Sequence, residues 1–236
     1  MNHSQTSIVD SLRSIDAFVG PGLADRIADL EWRVKGCNGA VCAERGAAAG
    51  VTSGLLAAAY DVKRAAAQIH VIVHAVATLL ILPKIIDADE RVESVSLGAG
   101  NTGKSFDLST TKRVAEFKFI HWQGGAETMR KKALFKDFYY LAEEPTDRRK
   151  ELYLLGTSHA LRFLRGGSLL KSVASRNVGL WNDIRGVHGD RFQTVGDYYR
   201  FRENGVAIID AIPLVPELAR VAAIVDSSMA DLDAEA

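Results

Sequence analysis

The chain reads as an α/β protein: a small mixed sheet with flanking helices, extended by helices at its N-terminal end and by a hairpin plus a helix at its C-terminal end. Three observations predict this. Two stretches of helical apolar spacing open the chain before residue 35. A long helical stretch then gives way to Val92-Glu93-Ser94-Val95-Ser96-Leu97, which is β-branched and alternating. Beyond it, Phe106-Asp107-Leu108 and Val114-Ala115-Glu116-Phe117-Lys118-Phe119-Ile120 carry strand-type patterning on either side of a short polar turn.

Taken in order, Ile8, Leu12, Ile15 and Phe18, then Leu23, Ile27, Leu30 and Val34, recur at helical intervals. Gly20-Pro21-Gly22 interrupts them, so two amphipathic helices are expected. Residues 36–54 are rich in Gly and Ala and read as a connector or a small-residue packing surface. From Leu55 to about Leu82 the pattern is one helix, amphipathic at first and apolar all round later, and so expected to be buried late in its course. Pro83 should end or kink it. The apolar run 69–82 falls short of the ~20 residues that span a bilayer and holds His70 and His74, which favours a buried core helix over a membrane segment. After the sheet-forming region, 126–143 reads as a helix with Met129, Ala133, Phe138 and Leu141 inward and Arg130, Lys131, Lys132 and Lys136 outward. A short buried strand follows at 151–156, then a helical stretch at 158–176 interrupted by Gly166-Gly167. Asn204-Gly205 between 197–202 and 206–210 predicts a hairpin, and a last helix runs from Pro216 to Met229 before an acidic tail that should fray. The organisation expected is a helical extension over 1–53, a core over 54–156, and C-terminal elements over 157–236 packed on that core in a single domain.

Composition restricts function only loosely. With 29 Lys and Arg against 29 Asp and Glu, the whole chain gives no electrostatic reason to bind nucleic acid. Residues 104–176, however, hold fifteen basic against eight acidic side chains, a local excess able to attract a phosphate backbone. Cys37 and Cys42 are too few for a zinc site or a disulfide framework. The polar N-terminus has no apolar signal core. Both fit a reducing, cytoplasmic setting without a membrane partner.

The hairpin carries the chemistry. If Thr111-Lys112 form its tip, residues whose numbers sum to 223 face each other, which sets Asp107 opposite Glu116 and Ser105 opposite Lys118. Alternation then puts Ser105, Asp107, Glu116 and Lys118 on one face and Phe106, Leu108, Phe117 and Phe119 on the other. Two carboxylates facing each other in a sheet repel. A divalent cation between them removes the penalty, and Mg²⁺ favours one or two carboxylates with water and phosphate oxygens. A lysine two residues on can orient or deprotonate a water, or neutralise charge developing on phosphate.

An acid followed by Glu-x-Lys on the next strand resembles the PD-(D/E)XK nuclease superfamily, with its restriction-endonuclease-like core of helix, three strands, helix and strand. The resemblance covers residues 54–156. It implies a Mg²⁺-dependent (or Mn²⁺-dependent) phosphodiesterase acting on nucleic acid, DNA above RNA, with two protomers for two-strand cutting. Asp107 and Glu116 would hold the metal with the backbone carbonyl of Phe117, and Lys118 would position the water and stabilise the transition state. Arg130, Lys132 and Lys136 would meet the phosphate backbone. Phe106 stands where the family often has Pro, and Lys132 and Lys136 stand where one branch carries Gln-x-x-x-Tyr.

Gly98-Ala99-Gly100-Asn101-Thr102-Gly103-Lys104-Ser105 also matches the phosphate-binding loop of nucleotide hydrolases, with Ile208-Ile209-Asp210 as a possible Mg²⁺-binding strand. Such a loop must run into a helix, and 106–113 is poor in helix formers, so a glycine-rich connection between strands is favoured. A catalytically inactive nucleic-acid-binding module is the other alternative. His70 and His74, one turn apart, read as core histidines more than as metal ligands. Glu44, Asp61 and Glu93 are candidates for an additional acid, and Trp122, Tyr139 and Tyr140 read as core packing before base stacking.

Overall fold

The computed structural model describes residues 7–98, 105–119, 122 and 128–220. The chain divides into two compact units, Met1–His70 and Val71–Ala236, with the boundary inside one long helix.

In the first unit, α1 (Ile8–Val19) and α2 (Leu23–Val34) follow the predicted spacing, with Ser7 capping α1 through Asp10 N at 3.2 Å. Residues 36–54, expected as a connector or a small-residue packing surface, contain a helix, α3 (Gly39–Ala48). Asn38 accepts a hydrogen bond from Val41 N at 3.0 Å to start it, and the alanine-rich segment needs no more than that cap to turn helical.

Helix α4 (Ser53–Ile85) begins in the first unit, ends in the second and continues through Pro83. It is not the buried helix the sequence predicts. Ala77, Thr78 and Ile81 are buried, while Ile72, Val76, Leu79 and Leu80 are exposed. By length and composition α4 is also apolar enough to cross a membrane.

The second unit is built on a mixed sheet of β1 (Val92–Val95), β2 (Leu108–Thr110), β3 (Arg113–Lys118), β4 (Arg149–Leu154) and β5 (Ala207–Asp210), in that order. β1 pairs with β2 and β2 with β3 antiparallel, whereas β3 pairs with β4 and β4 with β5 in parallel. Helix α5 (Thr128–Glu143) joins β3 to β4. It buries Leu134, Phe135, Phe138 and Leu141 as helical periodicity requires, but Met129 and Ala133, expected inside, are exposed.

After β4 come α6 (Ser158–Leu164) and α7 (Leu170–Ala174), separated at Gly166-Gly167 as predicted, and α8 (Val178–His188), capped by Asn177. The predicted C-terminal hairpin is absent. Residues 195–202 form α9 (Val195–Arg202), and β5 pairs in parallel with β4. A capping box explains the difference: Thr194 Oγ1 accepts from Asp197 N at 3.1 Å, and Asp197 Oδ2 accepts from Thr194 N at 2.8 Å. Val195, Tyr198 and Tyr199 then lie on one buried helical face, and Asn204-Gly205 sits in a 3₁₀ turn. Of the predicted final helix, Leu218–Arg220 is helical and 221–229 lies outside the described residues, as does the acidic tail.

The sheet has a core on each face. Val114, Leu152 and Leu154 pack with Phe135, Phe138 and the helices after β4. Leu108, Ala115, Phe117 and Tyr153 pack with Ala77 and Ile81 of α4. Glu143 fastens the later helices to α5, accepting from Tyr198 Oη at 2.7 Å and from Arg202 at 2.7 and 2.9 Å.

The hairpin end of the sheet is closed by a buried ion cluster. Arg113 is almost inaccessible and donates to both oxygens of Glu90 at 2.7 Å, to Glu151 Oε2 at 2.9 Å and to the Ile85 carbonyl. Hydrogen bonds from Arg113, opposed by burial, hold the Glu90 carboxyl down at about 2 against an ordinary 4.5. A depressed carboxylate stabilises the fold fully above its unfolded value and loses that contribution as pH falls. Glu90→Gln should therefore cost ~3–5 kcal/mol at pH 7, by leaving a buried charge short of its partner. Between pH 4.5 and 2 the wild type should lose this margin while the variant changes less, which urea denaturation across that range measures.

Candidate functional site

The hairpin register is the one the sequence predicts: Leu108 pairs with Ala115 and Ser109 with Val114, so paired numbers sum to 223. Thr110 shapes the turn, its Oγ1 accepting from Lys112 N at 3.1 Å and Arg113 N at 2.9 Å. Asp107 lies one residue before β2, at the end of the ladder where the strands separate. One expectation fails there. Phe106 belongs to the α5-side core and Leu108 to the α4-side core, while Phe117 and Phe119 are with Leu108 as predicted. Asp107 is thus free to reach both across the hairpin and toward α4.

The predicted residues converge. Lys118 Nζ lies 3.0 Å from Glu116 Oε2 and 3.9 Å from Asp107 Oδ2. Asp107 Oδ2 also accepts from the backbone N–H of Phe117 at 3.0 Å, which fixes the carboxylate over the start of the Glu-x-Lys motif. Two further groups enter that the sequence did not assign to the site. Asp137, from α5, brings Oδ2 to 3.2 Å from Lys118 Nζ, in ion-pair range but without hydrogen-bond geometry. His74, from α4, brings Nε2 to 3.9 Å from Asp107 Oδ1 and leans against the Phe119 ring. A signal for Asp137 was present: it falls among Leu134, Phe138 and Leu141, an acid on the buried face of a helix.

Three carboxylates share one ammonium in a half-buried setting. Burial, reinforced by Asp137 and Asp107 and opposed by Lys118, pushes the Glu116 carboxyl up to about 8. Burial likewise raises Asp137, against the pull of Lys118. Burial would lower Lys118, but Asp137, Glu116 and Asp107 outweigh it and hold the amine above its ordinary range. Lys118 is therefore an ammonium donor here and not a base.

A hard divalent cation would suit this donor set: the oxygens are carboxylate, and a cation would favour the ionised form of Glu116 against the burial that raises it. Asp107 and Glu116 are the residues that could hold one. Among the described residues, no three His, Cys, Asp or Glu side chains stand close enough together to form a ready metal cluster.

The other candidates fall elsewhere. Arg130 lines a small cavity with Lys118, Trp122, Leu134 and Leu154, beside the carboxylates. Lys132 is half-buried, and Lys136 is exposed, 6.0 Å from the Tyr140 ring. Tyr139 is buried, Tyr140 donates to Asp183 at 3.2 Å, and Trp122 packs on Phe163. Glu93 is engaged by Arg148 at 2.8 Å and Ser109 at 3.1 Å; Glu44 and Asp61 belong to the first unit, where Asp61 pairs with Arg64, and His70 is exposed. Of the glycine-rich loop, residues 99–104 lie outside the described residues; Ser105 leads through a bend into β2 and not into a helix. Asp210 ends β5 with its carboxylate accepting from Gly156 N at 3.2 Å and Ile212 N at 3.0 Å.

No protein-family model matches this chain, and neither a curated protein nor a solved structure matches it.

Because Glu116 is held neutral at a cost to its charged form, removing its charge should not weaken the metal-free protein. Glu116→Gln should melt at least as high as the wild type at pH 7 in EDTA, by calorimetry; a clear fall in Tm would contradict the raised carboxyl.

Proposed function

We propose that this protein is a metal-dependent phosphodiesterase that cleaves nucleic acid, with Asp107, Glu116 and Lys118 as its catalytic set. The observation that carries the reading is the convergence of these three side chains at the open end of one hairpin, with Lys118 Nζ within 4 Å of both carboxylates. Further support comes from the order of elements. Helix α4, strands β1 to β3, helix α5 and strand β4 reproduce the sequence of elements in the restriction-endonuclease-like core, with the acid beside the second strand and Glu-x-Lys on the third.

The chemistry assigned to each residue follows from its setting. Asp107 and Glu116 would hold Mg²⁺ or Mn²⁺, which would supply polarisation of the phosphate and acidification of a water. Lys118, kept charged by its three carboxylate neighbours, donates to the attacking water and to a non-bridging phosphate oxygen, where negative charge grows in the transition state. Asp137 steers that ammonium from the helix side, and the Phe117 N–H keeps Asp107 aimed inward. Arg130, beside Lys118, meets a neighbouring phosphate. DNA is the substrate the resemblance favours.

The nucleotide-hydrolase alternative loses its support where β2, and not a helix, follows Ser105. The test is incubation with plasmid, linear and single-stranded DNA and RNA in Mg²⁺, Mn²⁺ or EDTA. Lys118→Ala should abolish metal-dependent cleavage, a loss of at least ~10²-fold for a removed transition-state donor, while circular dichroism stays unchanged. Retained cleavage in a purified, folded Lys118→Ala protein would defeat the assignment.

A further inference from the structure

The exposed face of α4 has no part in the catalytic reading, yet its composition is that of an interior. Between residues 65 and 83 the sequence holds no Lys, Arg, Asp or Glu. One stripe of this stretch, with Ala77 and Ile81, is sealed against the sheet by Leu108 and Phe117. Among the described residues the remaining stripe is bare: Ile69, Ile72, Val76, Leu79 and Leu80 are each between 47% and 57% exposed. Monomeric proteins seldom leave contiguous apolar patches of more than a few hundred Å² in water.

The spacing of the bare stripe suits a second helix laid along it. Ile69 and Val76 fall seven apart, and Ile72 and Leu79 fall seven apart, three residues after each of them. That is the 3.5-residue repeat of a helix packed along another helix, with β-branched side chains at every a position. The flanking positions between 69 and 82 are Val73, Ala75, Leu80 and Leu82, so an identical helix meets no like charge there. The area also fits a self-association. Five large side chains about half exposed supply on the order of 500 Å² per copy, and two copies together reach the ~1,000 Å² that a specific interface requires.

A lipid surface fits less well. Interfacial helices set Lys and Arg beside their apolar face to meet anionic headgroups, and this stretch has neither. A spanning helix would have to leave the sheet, to which α4 is tied by Ala77, Ile81 and the hydrogen bond from Arg113 to the Ile85 carbonyl.

We propose that the Ile69–Ile72–Val76–Leu79 seam of α4 is a homodimer interface, in which the same helix of a second copy packs along it. This stands apart from the phosphodiesterase reading, since none of the seam residues belongs to the carboxylate–lysine cluster.

Sedimentation equilibrium of the full chain tests it. The wild type should be a dimer at ~10 μM, and Ile72→Glu/Val76→Glu should raise the dimer Kd at least ~100-fold, the equivalent of about 2.7 kcal/mol. Helicity should be unchanged. If that variant fails to fold, cross-linking decides. Ile72→Cys and Val76→Cys, each with Cys37 and Cys42 replaced by Ser, should give covalent dimers with a short bis-maleimide. A wild type that stays monomeric at ~100 μM, a folded double variant that still dimerises, or absence of cross-linked dimer at both positions would overturn the proposal. So would flotation of the wild type with phosphatidylcholine–phosphatidylglycerol vesicles that is lost in the double variant, which would assign the seam to lipid.

Discussion

Arg113 is a full charge with almost no access to water, so the protein itself must meet its donors. It does so with groups from three directions: Glu90 from the turn before β1, Glu151 from β4 and the Ile85 carbonyl at the end of α4. Each of these partners fixes a register. Glu90 accepts also from Thr110, which shapes the hairpin turn, so the turn, the strand and the incoming helix are joined at one point. A slip of one residue in β3 would turn Arg113 to the opposite face and strand both acids. The same slip would carry Glu116 and Lys118 away from the carboxylate cluster.

That coupling explains how a strained site persists. Three carboxylates around one ammonium is an arrangement that folding alone would disperse, and the raised Glu116 carboxyl records its cost. The buried cluster at the closed end of the hairpin restrains the strands that carry the unfavourable cluster at its open end. The two ends have opposite electrostatics: Glu90 is stabilised as an anion by a surrounded guanidinium, whereas burial and acidic neighbours raise the Glu116 carboxyl.

How much of this was legible in the sequence depended on the range of the interaction. The hairpin register could be worked out because alternation of period two and the polar turn at Thr111-Lys112 leave few choices, and Glu116 and Lys118 follow from it. Asp137 and His74 reach the site by tertiary packing of α5 and α4 on opposite faces of the sheet, which no local spacing specifies. Phe106 was misplaced because strand alternation was extended past the point where the ladder ends. Asn204-Gly205 is a strong hairpin signal, but the Thr194–Asp197 capping box and the buried Tyr198 and Tyr199 favour a helix before it. The apolar stretch of α4 reads as core in the sequence because composition measures how much surface avoids water, not which partner covers it.

The central claim is that Asp107 and Glu116 together hold a divalent cation. Titration of Mn²⁺ followed by electron paramagnetic resonance addresses it without requiring a substrate. The wild type should bind Mn²⁺ at pH 8, and Asp107→Asn/Glu116→Gln, with its helicity intact, should leave the added ion free in solution. Equal Mn²⁺ uptake by both proteins, or none by the wild type, would contradict the account.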